Sequence, residues 1–170
     1  MRKKTKIDKI KLIPALSLLL ILLAGFFGGI QYQKYFGPTQ VAEAQFPEEA
    51  TVARVVDGDT IELSNGQHLR YVGVNAPDAN NLFYEEATEF NKNLVEGKKI
   101  KLEYDKYKND KFGRILAYVF VDDKNVNVEL TRNGLAEVKI YQKRAKLIYQ
   151  DELLEAQEQA KKEKLGIWSD

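Results

Sequence analysis

No cysteine occurs in the 170-residue chain, and only one histidine, His68. The first absence excludes disulfides, thiolate zinc sites, iron–sulfur clusters and cysteine nucleophiles. The second excludes His-rich metal centres and argues against a serine–histidine–aspartate triad. A strong charge of one sign is also missing, since 26 Lys/Arg stand against 25 Asp/Glu for a formal net charge of +1. That sum hides an uneven distribution: residues 1–44 carry seven Lys/Arg and two Asp/Glu, leaving nineteen and twenty-three in residues 45–170. The larger part is slightly acidic, which argues against the broad basic face of a protein that coats DNA. Nucleic acid would need a local basic cluster or a bound cation there. The chain has no internal repeats and no low-complexity tracts. What remains for chemistry is carboxylates, arginines, lysines, amides and tyrosines, an inventory suited to hard cations and phosphates.

The amino-terminal segment is unlike the rest. Met1–Lys11 holds six basic residues and one Asp, and Leu12–Ile30 follows with nineteen residues and no charge. As a helix that run spans roughly 28 Å, close to the hydrocarbon core of a bilayer. Its basic flank should stay cytoplasmic, placing everything after Ile30 outside the cell. Residues 1–30 are therefore expected to form a signal anchor with a transmembrane helix. The alternative is secretion after cleavage near Ala44, at the small-x-small site Ala42-Glu43-Ala44. Residues 31–47, with Gly37-Pro38 and no apolar periodicity, read as a linker to a domain over 48–170.

Within that domain, Thr51–Val56, Thr60–Leu63 and Gln67–Val74 read as three strands joined by the turn signals Asp57-Gly58-Asp59 and Ser64-Asn65-Gly66. Ala87, Phe90, Asn91 and Leu94 share one face of a helix over Glu85–Val95. Lys99–Tyr104 and Ile115–Val121 read as two more strands, flanking a polar loop over Tyr107–Arg114. A short helix is expected over Asn127–Asn133, capped by Asn127 and stopped by Gly134. A long one is expected over Arg144–Lys164, burying Tyr149, Leu153, Ala156 and Ala160. Three strands, a helix and two strands do not make βαβ repeats. They predict an α+β protein, a five-stranded oligonucleotide-binding (OB) barrel with three helices.

Four clusters could carry chemistry. Val56-Asp57-Gly58-Asp59-Thr60 sets two carboxylates about a glycine at a strand junction, either a plain hairpin turn or a turn that aims one carboxylate at a cation. Arg70 sits in an otherwise apolar strand whose end carries Asn75, Ala76, Pro77 and Asp78. Asp110-Lys111-Phe112-Gly113-Arg114 puts a second arginine at a strand's start, in what is otherwise a solvated basic loop. Ala160–Ser169 reads as a helix end with its packed tryptophan. Together these suggest Asp59, Asn75 and Asp78 as oxygen donors, with Arg70 and Arg114 as a bidentate phosphate clamp that lysine could not replace.

These segments, with Ile115-Leu116-Ala117-Tyr118 and Asn133-Gly134-Leu135-Ala136, occur in an order and at a spacing that resembles the staphylococcal nuclease (thermonuclease) family over about residues 50–170. The resemblance implies a calcium-dependent phosphodiesterase acting on DNA and RNA and leaving 3′-phosphates. It implies that Asp59, Asn75 and the Ala76 carbonyl bind Ca2+, that Arg70 and Arg114 hold the phosphate, and that Asp78 activates water. Lys111 and Tyr141 are expected on the substrate side. Asn75 stands where the family usually has Asp, and Asp78 where it has Glu, so weaker calcium binding and a slower reaction are expected. The competing expectations are a catalytically weakened OB nucleic-acid-binding module and a surface interaction domain. Both arginines favour the enzyme, because a binding-only barrel relies on aromatic platforms. A monomer with DNA or RNA as substrate is expected.

Overall fold

The structure is a computed structural model that describes residues 46–141 and 145–169. The expected membrane helix and the cleavage site lie outside the described residues. Of the expected linker, Phe46 and Pro47 are described, and both belong to the folded body. Phe46 packs edge-on against Tyr104 with ring centroids 5.8 Å apart, and the Tyr104 hydroxyl donates to the Pro47 carbonyl at 2.6 Å.

Five strands close a barrel: β1 (Glu49–Asp57), β2 (Thr60–Leu63), β3 (His68–Tyr71), β5 (Lys99–Glu103) and β6 (Ile115–Val121). The strand β4 (Val74–Asn75) lies between β3 and β5 in sequence and outside the barrel. β1 pairs with β5 through Glu49–Thr51 and with β2 through Val52–Asp57, and two register shifts bend it within the second stretch. Such bulges let one strand serve two parts of a curled sheet. The ring closes where β3 meets β6 in parallel, with Leu69 opposite Ile115 and Tyr71 opposite Ala117. β6 is buried along nearly its whole length. One face lines the barrel interior and helices cover the other, hence its unbroken apolar run.

Three helices pack on the barrel, as the sequence implied. The first, α1 (Tyr84–Val95), follows the third barrel strand and buries Ala87, Asn91 and Val95. A short strand, β7 (Lys124–Asn125), leads into α2 (Val126–Arg132). The cap of α2 is Asn125, whose side chain accepts from the amides of Asn127 and Val128. Asn127, expected as the cap, is instead wholly buried. Its Oδ1 accepts from the Val119 amide at 3.1 Å and its Nδ2 donates to the Val72 carbonyl at 2.9 Å, stitching helix to barrel. Strand β8 (Glu137–Val138) pairs with β4. The last helix, α3 (Gln150–Glu163), starts at Gln150, with the described residues 145–149 before it outside the helix; it buries Leu153, Ala156 and Ala160, while Tyr149 is half-buried. Tertiary bonds hold the residues before it out of the helix. The Ile148 amide donates to Asp105 at 3.0 Å, and the Tyr149 hydroxyl donates to Glu103 at 2.6 Å.

Gly73 breaks the expected third strand into β3 and β4. Its φ of 80° is left-handed, and a Cβ there would lie 2.8 Å from Leu153. The break redirects the chain, so that Asn75–Asp78 runs along the barrel's edge beside the β1–β2 turn.

Candidate active site

The β1–β2 turn is the foundation of the site. A Cβ at Gly58 would lie 2.6 Å from the Ala76 Cβ and 2.8 Å from the Ala87 Cβ. The glycine is therefore required by space, and the turn presses against both Ala76, just past β4, and α1. From α1, the buried Asn91 donates to the Asp57 carbonyl at 3.0 Å while its Oδ1 accepts from the Tyr71 hydroxyl at 2.7 Å. A polar chain from the barrel interior thus fixes the backbone that carries both aspartates.

The two aspartates of the turn behave differently. Asp59 is 4% exposed and fully engaged. Its Oδ1 accepts from Arg70 Nη1 and from the Thr60 hydroxyl, and its Oδ2 accepts from the Ala76 amide at 2.8 Å. Asp57 accepts from the Asp59 amide at 3.0 Å. Burial pushes its pKa above the ordinary carboxylate value, against the opposing pull of Thr60, Arg70 and Arg114. A carboxylate held this way gains from a cation.

Arg70 reaches inward from β3. Besides Asp59, its Nη2 donates to Asn75 Oδ1 at 2.9 Å. Burial, then the like charge of Arg114, lower its pKa. Arg114 stands at the entry to β6, where Asp110 holds it. The Asp110 Oδ1 accepts from the amides of Phe112 and Arg114, and its Oδ2 accepts from Arg114 Nε at 2.7 Å, with Nη2 also at 2.7 Å. One edge of the guanidinium is so anchored and the other is left to a ligand.

Three cavities converge on Arg114. The smallest, about 170 Å³, is walled by Asp57, Asp59, Arg70, Ala76, Asp78 and Arg114. Its residues come from β1, β2, β3, the strand end after Gly73 and the entry to β6. A cleft of about 360 Å³ is lined by Arg70, Lys111, Arg114 and Tyr141. A groove of about 500 Å³ lies between the β2–β3 turn and the Asn109–Ile115 segment. The structure thus brings Asp59, Arg70, Ala76, Asp78 and Arg114 to one cavity and sets Lys111 and Tyr141 beside it. Asn75 does not line that cavity; its Oδ1 is taken up by Arg70 Nη2 behind the wall.

The side-chain donors at the cavity suit a hard cation, since all are oxygens: carboxylates at Asp57, Asp59 and Asp78, with Asp59 shared with Arg70 and the Asn75 oxygen already given to Arg70. Among the described residues no three His, Cys, Asp or Glu side chains cluster closely enough to hold a metal by themselves. An ion here would therefore combine carboxylates with neutral oxygens and retained water.

Sequence reasoning missed Asp57, Asp110, Asn91 and Tyr71 as parts of the site. The signal for Asp57 was present in the paired carboxylates of the turn, and Asp110 stands four residues before Arg114. Asn91 was visible as a polar residue on an apolar helical face.

The closed five-stranded barrel with three helices, and a doubly arginine-lined acidic cavity at its edge, defines the architectural class. A family model described as "Staphylococcal nuclease homologue" matches residues 68–170. The chain is 36% identical over 163 residues to a thermonuclease of Staphylococcus hyicus, covering 89% of this chain and 95% of that protein. It is 42% identical over 130 residues to endonuclease YncB of Bacillus subtilis, covering 70% of this chain and 61% of that one. An SPbeta prophage-derived endonuclease, YokF of the same organism, is 39% identical over 132 residues, 71% of this chain and 44% of that one. The chain belongs to the staphylococcal nuclease homologue family.

Proposed function

We propose that this protein is an endonuclease that hydrolyses phosphodiester bonds of DNA or RNA with little sequence specificity. The observation that carries the reading is the single small cavity walled by Asp57, Asp59, Arg70, Asp78 and Arg114. The names of its relatives, thermonuclease and endonuclease, support it.

The cation of this reading is calcium, which would be held by Asp57 and Asp59, with Asn75 and the Ala76 carbonyl completing the oxygens once Arg70 turns to the phosphate. When bound, it supplies positive charge that draws in the phosphate and offsets charge building on its oxygens. The remaining work falls to the chain. Arg70 and the free edge of Arg114 grip the non-bridging oxygens, with contacts that strengthen as negative charge accumulates. Asp78, exposed at the same cavity, accepts a proton from the attacking water. The water oxygen bonds to phosphorus and the bond to the 5′-oxygen breaks. That oxygen, hydrogen-bonded to Arg114, takes a proton from solvent. The products are a 3′-phosphate and a 5′-hydroxyl.

The site of action in this reading is outside the cell, on a membrane anchor formed by residues 12–30, or after release by cleavage near Ala44. Protease added to intact cells distinguishes an exposed, anchored domain from a soluble secreted one. Activity is tested by digesting single- and double-stranded DNA and RNA with calcium, with magnesium and with excess chelator. Calcium-dependent cleavage with 3′-phosphate ends is expected. Retarded migration of uncut nucleic acid would replace the enzyme with a binding module, and undiminished digestion in chelator would remove the cation.

A further inference from the structure

We infer that the groove between the β2–β3 turn and the Asn109–Ile115 segment is a second nucleotide subsite, taking the part of a single-stranded substrate that passes beyond the cleft. The inference rests on the nuclease reading for the identity of the strand. The groove of about 500 Å³ falls within the range of small-ligand pockets. It shares Asn109, Phe112 and Arg114 with the cleft that holds Lys111 and Tyr141. Phe112 is thus the rim between the two spaces, and a polymer gripped at Arg114 can cross it from one to the other.

The chemistry of the rim and walls fits a nucleotide. Phe112 is 71% exposed, a cost that a solvated basic loop does not need. Lys111 Nζ stands 4.9 Å from its ring centroid and the Arg114 guanidinium carbon 5.6 Å. Both cations lie over that ring, so a base that stacks on Phe112 displaces a flexible basic side chain, which then stands ready for the backbone phosphate. Open space surrounds the positions of the missing Cβ atoms at Gly66 and Gly113, so the walls leave the groove unobstructed. His68 sits at the far wall, half-exposed, with Nε2 3.9 Å from Glu62, itself paired to Arg54. Asp110, the nearest carboxylate on the loop side, is consumed by Arg114 and two amides, so no free negative charge of that loop faces the phosphate.

The test compares quenched-fluorophore oligonucleotides of two and six nucleotides, with the full chain and three variants: Phe112→Ala, His68→Glu and His68→Lys. The readout is the ratio of KM for the short substrate to KM for the long one, which reports only contacts made by the extra nucleotides. Phe112→Ala should shrink that ratio about fivefold, the lower end for one stacked base. His68→Glu should shrink it and His68→Lys should enlarge it, a sign reversal that general damage to the fold cannot produce. Anisotropy titration of the uncut hexanucleotide, with chelator present, should rank the four proteins in the same order. If the parent cleaves nothing, the nuclease reading fails, and the titration alone decides the subsite. Equal ratios and equal affinities across all four proteins overturn it.

Discussion

The anchoring of Arg114 by Asp110 makes a quantitative claim, which Asp110→Asn isolates. The amide keeps an oxygen for the Phe112 and Arg114 backbone amides, now at 2.9 and 3.0 Å. It turns an NH2 group toward the guanidinium, where the parent has two contacts of 2.7 Å. Bonds to charged groups contribute about 1.5–3 kcal/mol each when sheltered. This pair is partly exposed, with side chains 31% and 16% accessible, so screening leaves about 1–2 kcal/mol in all. A domain of this size should lose about 4–8 °C in Tm. The larger effect is on rate. A guanidinium released to swing by about 1 Å costs roughly 10²-fold, so kcat should fall about 10- to 100-fold with KM little changed. Melting by circular dichroism and initial rates on single-stranded DNA measure the two quantities. A lowered Tm with kcat within twofold of the parent would show that Asp110 only props the loop. A raised kcat would show that it competes with the phosphate. The pH dependence adds a check. Burial pushes the Asp110 pKa up, but hydrogen bonds from the Arg114 side chain and the two amides outweigh it, and the net shift is downward. A depressed carboxylate contributes stability that is complete above its unfolded pKa of about 3.9 and lost as pH falls through the folded value. The Tm gap between parent and variant should therefore close below about pH 4.

Gly58→Ala should cost about 1–3 kcal/mol of stability, because its Cβ would meet the Ala76 and Ala87 Cβ atoms at 2.6 and 2.8 Å, and denaturant unfolding reads that loss. Asn91→Leu strands the Tyr71 hydroxyl and the Asp57 carbonyl. Adding Tyr71→Phe should recover part of the loss, so strict additivity in the double-mutant cycle would refute the buried chain. Asn75→Asp adds a charge beside the cavity and should tighten calcium about tenfold by calorimetric titration, since an unchanged affinity would place residue 75 off the metal. Arg70→Lys and Arg114→Lys should each depress kcat strongly while the fold survives, and parental rates in both would remove the clamp.

Much of this architecture could be read from local signals. The β6 run of Ile115–Val121 was legible as an unbroken apolar stretch buried on both faces, and the α1 face because one-sided burial writes itself into periodicity. The two arginines were legible because a charge in an apolar strand, or at a strand's entry, calls for a partner. What escaped were features set by distant contacts. Nothing in the sequence around Lys146–Tyr149 reveals that Glu103 and Asp105 hold it out of helix. Asn125 and Asn127 are equally good caps in isolation, and only the fit of Asn127 between Val72 and Val119 decides between them. Asp57 looked like half of an ordinary turn until Arg70, Arg114 and Asp78 were seen around the same cavity.

The parallel seam between β3 and β6 has a kinetic consequence. Leu69 and Ile115 meet across a long stretch of intervening chain that includes α1 and β5, so closing the barrel there carries a large loop-closure cost. While the seam is open the β1–β3 meander exposes an unpaired edge, and loop-closure entropy opposes the pairing that would cover it. Arg70 lies on one strand of that seam and Arg114 immediately before the other. The phosphate grip therefore exists only where that seam is paired, and a chain whose seam is open carries every residue of the site without the site itself.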